Sequence, residues 1–389
     1  MPKIKEKFVP KTWVEVSANA IKSNIQTFKH LISHETKLMS VVKSNAYGHG
    51  LVGVAKVAQS QGVTWFGVDS PEEGIALRAN GIKGSILIMG FVRPGNLELI
   101  LKNKLSFVAY DDKVLSRLQA LSKNGFLKKY PAHIHLKIET GTGRQGLAGE
   151  ELLDFALKIK KIKGAEIQGI YTHFANIEDT TDHSYSAAQL KKFIQEKNRL
   201  AQNGIKPEVV HTACSAAAIL FPETHFNLIR LGISLYGLWP SKETHAVAQR
   251  THRDIKLYPA LTWKTIIAQL KKYPKGSPIG YGLSERTSRA AMIAVVPVGY
   301  WDGYDRGLSS VGSVLVHGER CKVVGRVCMN MMMVDVTDVK GVKVEDEVVL
   351  IGKQKKAEIS AEDFAGKIGT INYEAVTRIN PLLPRIIVG

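Results

Sequence analysis

Residues 37–50 read KLMSVVKSNAYGHG. The run KLMSVV is short, apolar and rich in β-formers, which is how a strand buried on both faces reads. Lys43 follows where that strand ends, and Asn45, Tyr47, Gly48, His49 and Gly50 offer polar contacts and close backbone approach just beyond it. A lysine emerging from an apolar strand is poorly solvated, which favours its neutral, nucleophilic form. On either side of this stretch, TWVEV, TWFGV, SILIM, SFVAY, HIHLKI, EIQGIYT, EVVHT and NLIRL repeat the strand pattern, with helical patterns between several of them. After Ser17, Ile21, Ile25 and Phe28 recur on one helical face, and Ser70, Pro71 and Glu73 spell a capping box with proline at the first helical position. The alternation is that of βα units around a parallel sheet, and its extent suits a (β/α)8 barrel.

From about residue 250 the pattern changes to β-runs with few helices: LTWKTIIAQL, AAMIAVVPV, SVLVHG, KVVGRVCM, MMVDVT and EVVLIG. The polar stretch SKETHAVAQRTHRD lacks clear periodicity and is read as the linker, dividing the chain into a barrel domain over 1–250 and a mainly β domain over 251–389. A chain of 389 residues with 44% hydrophobic and 23% charged residues has ample apolar surface for two such cores. The basic N-terminus has no signal-like apolar stretch, and no run is long enough to span a membrane. Three cysteines, Cys214, Cys321 and Cys328, suit a reducing compartment better than a disulfide framework, so a cytoplasmic protein is expected. No metal constellation is evident. The net charge of +18 raises the question of nucleic acid, but the lysines fall in short scattered groups without interleaved aromatics. Neither a nucleic acid nor a membrane is expected as a partner. Small anions, including a phosphorylated cofactor, would still be attracted.

Barrel enzymes place their chemistry at the C-terminal ends of the strands, and the reactive residue types here fall at such positions. Lys43 follows Val42, Arg144 follows HIHLKI, His173 follows GIYT, Ser215 follows VVHTAC, and Arg230 ends NLIR. Residues 141–146, GTGRQG, match the dinucleotide-binding GxGxxG literally, follow a strand and precede a helical run, with Glu166 about 20 residues on. Arg144 intrudes in that glycine turn, and the unit lies deep in the chain, so a nicotinamide-linked dehydrogenase is the weaker reading.

VVKSNAYGHG resembles the pyridoxal-phosphate lysine signature of the alanine racemases. HLKIETGTGRQGL, GIYTHFA, HTACSAA, RLGISLYGL, PIGYG, PVGYWDGY, VGRVCMNMMMVDVT and GTINYE resemble that family's other blocks, in order, from Trp13 to the C-terminus. The resemblance implies an N-terminal (β/α)8 TIM barrel whose eight strands start at KLMSVV, and a C-terminal mainly β domain that also takes up TWVEV and packs with residues 1–17. It implies pyridoxal 5'-phosphate as cofactor, Lys43 as the Schiff-base lysine and base on one face of the substrate Cα, and Tyr281 of the partner subunit as base on the other. A homodimer with shared active sites follows. Tyr47, Tyr373, Ser215 and the backbone of Gly232 and Ile233 would hold the phosphate. Arg144 would reach the phenolic oxygen and help bind substrate, His173 would stack on the ring, Arg230 would face the pyridine nitrogen, and the amide of Met329 would hold the substrate carboxylate. Lys137 matches a position where many members carry a carbamylated lysine.

The implied activity is interconversion of L- and D-alanine, supplying D-alanine for peptidoglycan. Removing an α-proton needs an electron sink, which a conjugated cofactor supplies, and racemisation needs proton donors on both faces. An always-protonated Arg230 should leave a facing pyridine nitrogen unprotonated and discourage a long-lived carbanion. A tyrosine is a poor base at its reference pKa of about 10, so Tyr281 needs positive neighbours such as His173 or Arg144. A broader-specificity racemase of the same fold is the main alternative, and a non-catalytic cofactor carrier, which lacks a second domain, is the other. Cys214 in place of an Asn and Asn330 in place of an Asp depart from the commonest pattern without touching the proton-transfer groups.

Overall fold

The apolar runs of the first half do form short parallel strands. The computed structural model describes residues 9–251 and 255–389, and divides them into two units. The first unit comprises Ala20–Ala46 and Leu51–Tyr258, and the second takes the residues up to Asn19, Tyr47–Gly50 and Pro259–Gly389. Residues 1–8 lie outside the described residues, so the packing expected for residues 1–17 concerns β1 (Thr12–Ser17) alone.

In the first unit the strands are β2 (Lys37–Val41), β3 (Trp65–Val68), β4 (Ser85–Ile88), β5 (Ser106–Ala109), β6 (Ala132–Lys137), β7 (Ala165–Tyr171), β8 (Val209–His211) and β9 (Leu228–Leu231). They pair in the order β8-β7-β6-β5-β4-β3-β2-β9, every ladder parallel. The last strand thus meets the first, which is a closed barrel's arrangement. Between β8 and β9 the Arg230 N–H donates to Ala213 O at 3.0 Å and the Val210 N–H to the Asn227 side chain at 2.8 Å. Helices run between the strands. The one at Ala18–Leu31 buries Ile21, Ile25 and Phe28 completely, each such side chain contributing about 1.5–3 kcal/mol.

The expected capping box at Ser70 is half formed. Ser70 Oγ accepts from the Glu73 N–H, but the Glu73 carboxylate turns away to accept from the Asp69 and Asn45 amides at 2.9 and 3.2 Å. The cap has been recruited to brace the segment after Lys43. The linker expectation for SKETHAVAQRTHRD also changes: Lys242–Arg250 is a helix, capped by Ser241 Oγ accepting from the Thr244 N–H at 2.9 Å. Its inward face rests on Thr244 and Ala248, a polar residue and a small one, so no apolar period shows. The final residues of that stretch, 252–254, are outside the described residues.

The second unit is built on one large mixed sheet and a separate two-stranded one. Its strands are β10 (Leu261–Ile266), β11 (Gln269–Tyr273), the short pair β12 (Pro278–Ile279) and β13 (Glu285–Arg286), β14 (Ala291–Val296), β15 (Ser313–Val316), β16 (Glu319–Val324), β17 (Met332–Asp335), β18 (Glu347–Gln354), β19 (Ala357–Ile359) and β20 (Arg385–Val388). The sheet order is β11-β14-β17-β16-β15-β18-β10-β1-β20, with β1 antiparallel to β10 and parallel to β20. LTWKTIIAQL, read as one run, is two strands broken at Ile267 and Ala268, whose amides bond to Asp346 O and Val295 O. KVVGRVCM stops at Val324 because Gly325 takes φ +72°, with Ile279 O 2.6 Å from where a Cβ would sit.

Candidate active site

Immediately after Lys43 the backbone enters a left-handed turn. Ser44, Asn45, Ala46 and Tyr47 all have φ between 51° and 55°, a conformation that costs an L-residue with a side chain about 1–2 kcal/mol. The strain is held by the Ala46 N–H to Val42 O at 2.8 Å, the Leu51 N–H to Asn45 Oδ1 at 3.0 Å, and the Glu73 brace. Gly48 closes the turn, with Val376 O 2.0 Å from its would-be Cβ. The Lys43 ammonium lies 3.9 Å from Asp69 Oδ1, and its side chain is 39% exposed. The expectation of a poorly solvated lysine is therefore not met in this chain: the strand is buried, but its end opens on the barrel mouth.

Cations gather there. Lys137, the last residue of β6, is buried, and burial together with Arg144 and Arg230 lowers its pKa to about 8. Its ammonium donates to Gln145 Oε1 at 3.4 Å, and Gln145 Nε2 donates to Tyr110 Oη at 3.1 Å. His173, half-buried, is held well below its ordinary pKa by burial and by the charges of Arg230, Arg144, Lys137 and Lys43. A neutral His173 cannot supply positive charge to a tyrosine, which leaves Arg144 of the two neighbours anticipated for Tyr281.

Arg230 is buried and anchored on backbone. Its Nη1 donates to His211 Nδ1 at 3.0 Å and His211 O at 2.9 Å, while Nη2 donates to Thr172 O and Thr212 O, each at 2.9 Å, and lies 3.4 Å from His173 Nδ1. Among the described residues no group accepts from its Nε–H, so one donor of a fixed guanidinium is left for a lone pair. Tyr171 stacks on His211 at 4.8 Å and 7°, and also lies under the Arg230 guanidinium, 5.3 Å from ring centroid to Cζ.

Ser215 opens the short helix after β8, and its Oγ accepts from the amides of Gly232 and Ser234 at 3.1 and 3.4 Å. Gly232 and Ile233 begin a 3-10 turn after β9. The loops after the seventh and eighth barrel strands, with a short extra helix, are where this fold binds phosphate. Cys214 precedes Ser215, and burial pushes its thiol up to about 11.

The GTGRQG decoy resolves on geometry. Glu139 Oε1 accepts from the Gly141 and Thr142 amides at 2.5 and 2.6 Å, and Oε2 from Arg144 N–H at 3.4 Å. The loop's own carboxylate fills the nest a pyrophosphate would need. The Arg144 side chain itself stands exposed.

The second unit carries Tyr47, Tyr373, Tyr281 and Met329. The Tyr47 and Tyr373 rings are 6.1 Å apart. Tyr281 is 72% exposed between Gly280 and Gly282, both at positive φ, whose would-be Cβ atoms meet Met333 Cε at 2.6 Å and the Arg326 guanidinium at 2.9 Å. A cavity of about 790 Å³ is lined by Tyr281, Tyr300, Arg306, Arg326 and Met329 among others. The loop at Met329 is fixed by Trp301 N–H to Met329 O at 2.9 Å and Cys328 N–H to Met331 O at 2.9 Å, and no group among the described residues accepts from the Met329 amide. Among the described residues no cluster suits a metal ion and no helix is long and apolar enough to cross a membrane.

The sequence reading missed Tyr110, His135, Gln145, Tyr171 and His211. Tyr110 ends the SFVAY run and obeys the strand-end rule that found the others. Tyr171 and His211, the last residues of β7 and β8, obey it too, whereas His135 lies inside β6, where nothing in the sequence separates a polar core residue from a packed one.

A parallel barrel with a lysine, two arginines and a neutral histidine at its mouth, in a chain that also carries a mainly β unit, is an architecture whose charge attracts small anions. Profiles described as the N-terminal and C-terminal domains of alanine racemase match residues 16–240 and 260–387, and the chain belongs to the alanine racemase family. It is 42% identical to the alanine racemase of Symbiobacterium thermophilum, covering 97% of each chain, and 39% identical to that of Leptospira interrogans, covering 97% of this chain and 96% of the relative. Among solved structures, alanine racemase from Bacillus anthracis with bound L-Ala-P superposes with TM-score 0.90 at 35% identity, covering 99% of this chain and 96% of the other. A Clostridium difficile alanine racemase in complex with cycloserine gives 0.87 at 32% identity, covering 96% and 94%.

Proposed function

We propose that the enzyme interconverts L- and D-alanine with pyridoxal 5'-phosphate bound at the barrel mouth, and that two bases, Lys43 and Tyr281, serve opposite faces of the substrate Cα. The observation that carries the reading is the convergence of Lys43, Lys137, Arg144 and Arg230 on His173, which burial, with their charges, keeps neutral. Such a field suits a phosphorylated cofactor and a carboxylate substrate together. The relatives' common name favours alanine over a broad substrate range.

The residues fit the cofactor. Ser215, Gly232 and Ile233, with Tyr47 and Tyr373, would hold its phosphate. Arg230 would donate its remaining Nε–H to the ring nitrogen, His173 would lie on the ring as a neutral imidazole, and Arg144 would reach the phenolic oxygen. When bound, pyridoxal phosphate supplies a conjugated ring that accepts the electron pair left when the Cα proton departs. Lys43 anchors the cofactor and exchanges the proton on one face. Tyr281 of the partner subunit exchanges it on the other, its phenol presented by the glycine-flanked turn. Arg144 and the Met329 amide bind the substrate carboxylate. Arg230, always protonated, would donate rather than accept at the ring nitrogen, leaving that nitrogen unprotonated and the ring a weaker electron sink, which discourages side reactions.

Lys137 is proposed to be carbamylated. Its pKa of about 8 gives a useful fraction of neutral amine, the form that adds CO2, and the resulting anion relieves the repulsion with Arg144. A homodimer is required, because the exposed Tyr281 serves a neighbour. The three free thiols support a cytoplasmic enzyme, and D-alanine would feed peptidoglycan assembly. Incubating the enzyme with each common L-amino acid and following circular dichroism tests the reading. Loss of rotation is expected for alanine well ahead of the rest, and an inert alanine sample with another amino acid turned over would overturn it.

A further inference from the structure

The Arg230 guanidinium is the end of a longer chain of hydrogen bonds that crosses the barrel core. Arginine has no acceptor, so the 3.0 Å contact from Nη1 to His211 Nδ1 runs in one direction. Neutral His211 then carries its proton on Nε2, which lies 3.0 Å from His135 Nδ1. His135 must accept there and carry its own proton on Nε2, 3.4 Å from Gln168 Oε1. Gln168 Oε1 also accepts from Ser106 Oγ at 2.9 Å. Every link from Ser106 to Arg230 has one allowed polarity. His135 and His211 are fully buried, and burial takes His135 down to about 3, so neither ring is protonated in ordinary use.

The strands are shaped around this relay. The β6–β7 ladder slips register between Ile134 and His135, where His135 comes to face Gly169. A Cβ on Gly169 would sit 2.4 Å from the His135 ring, closer than real contacts allow. Trp65 meets the His135 edge at 5.7 Å, and Tyr171 stacks on His211. A buried imidazole that costs a strand irregularity and an obligatory glycine is not filler.

We propose that His135 is a positioning residue for racemisation: by accepting from the His211 Nε2–H it fixes the orientation of the ring that holds Arg230 with its Nε–H open to the cofactor ring. This rests on the reading of Arg230 given above. Without an acceptor at His135, the buried His211 Nε2–H is left without a partner, and the ring relieves that cost by turning away from the geometry that accepts from Arg230.

Ring 15N shifts of histidine-labelled enzyme test the proposal, with and without cofactor, beside kcat and KM. Wild type should show His211 with Nδ1 unprotonated and Nε2 protonated in both forms. His135→Leu should shift the His211 ring 15N signals, as Nε2–H loses its acceptor and the Arg230 bond at Nδ1 loosens, with a shifted cofactor absorbance and about a ten-fold loss in kcat at similar KM; His135→Gln, which keeps an acceptor, should retain most of kcat. A charged or Nδ1-protonated His211 in wild type overturns the proposal, even if His135→Leu does not fold. Unchanged shifts and kcat in a folded His135→Leu overturn it as well. If Arg230→Ala alters absorbance and kcat while His135→Leu does not, the relay is wrong and the Arg230 reading stands. If neither does, the Arg230 reading falls and takes the proposal with it.

Discussion

Lys43 combines two demands, a fixed backbone and an accessible amine, and it meets both at the end of a buried strand. Replacing it with alanine should abolish the bound-cofactor absorbance and racemisation together; racemisation that persists would refute its role. Tyr281→Phe should leave the cofactor in place and stop solvent-deuterium exchange on one face of Cα, slowing turnover by about 10²–10⁴-fold. Equal loss of exchange on both faces would count against it. Lys137, with a pKa of about 8, should show a mass increment of one CO2 that grows as pH rises through that value in bicarbonate. An unmodified Lys137 at every pH would leave another anion to balance Arg144. Lys43 was legible in the sequence because it stands at a strand end, and Tyr281 and Lys137 only because they fall in blocks that resemble the family's. Lys43's exposure was not, since it depends on which way the left-handed turn opens the barrel mouth.

At the scale of elements, the turn at Ser44–Tyr47 stores strain and the helix at Pro71–Ala79 restrains it through Glu73. Ser44→Gly removes a side chain from a left-handed position on the surface and should stabilise the cofactor-free protein by about 0.5–1 kcal/mol in denaturant unfolding. Destabilisation would mean that the turn carries no strain. Glu73→Ala deprives the Asn45 and Asp69 amides of their acceptor and should cost about 1 kcal/mol while weakening cofactor retention. Both effects hang on an interaction invisible in sequence: Ser70, Pro71 and Glu73 spell a capping box, yet the glutamate serves a loop some thirty positions earlier. The barrel strands could be read from their apolar runs. The helix at Lys242–Arg250 could not, because its buried face holds a threonine and an alanine; the strand at Arg385–Val388, at a sheet edge, is a run of only four residues straight after Pro384, too short to set a period.

Across the whole molecule, the barrel keeps His135, His173 and His211 neutral, the first with a pKa of about 3 and the others well below their ordinary value. Below about pH 6.5 the unfolded chain binds protons that the folded chain refuses, so stability should fall as pH drops through that value toward about 3, by up to about 1.4 kcal/mol per pH unit for each histidine. Thermal unfolding of the cofactor-free protein between pH 7 and 4 reads this directly, and a flat midpoint would contradict it. The claim on which the account turns is that one active site takes Lys43 from one subunit and Tyr281 from the other. Mixing inactive Lys43→Ala and Tyr281→Phe dimers under conditions that let subunits exchange decides it. Half the dimers become hybrids with one intact site of two, so racemisation should return to roughly a quarter of the wild-type rate; no return of activity, with hybrids shown to have formed, would contradict the account.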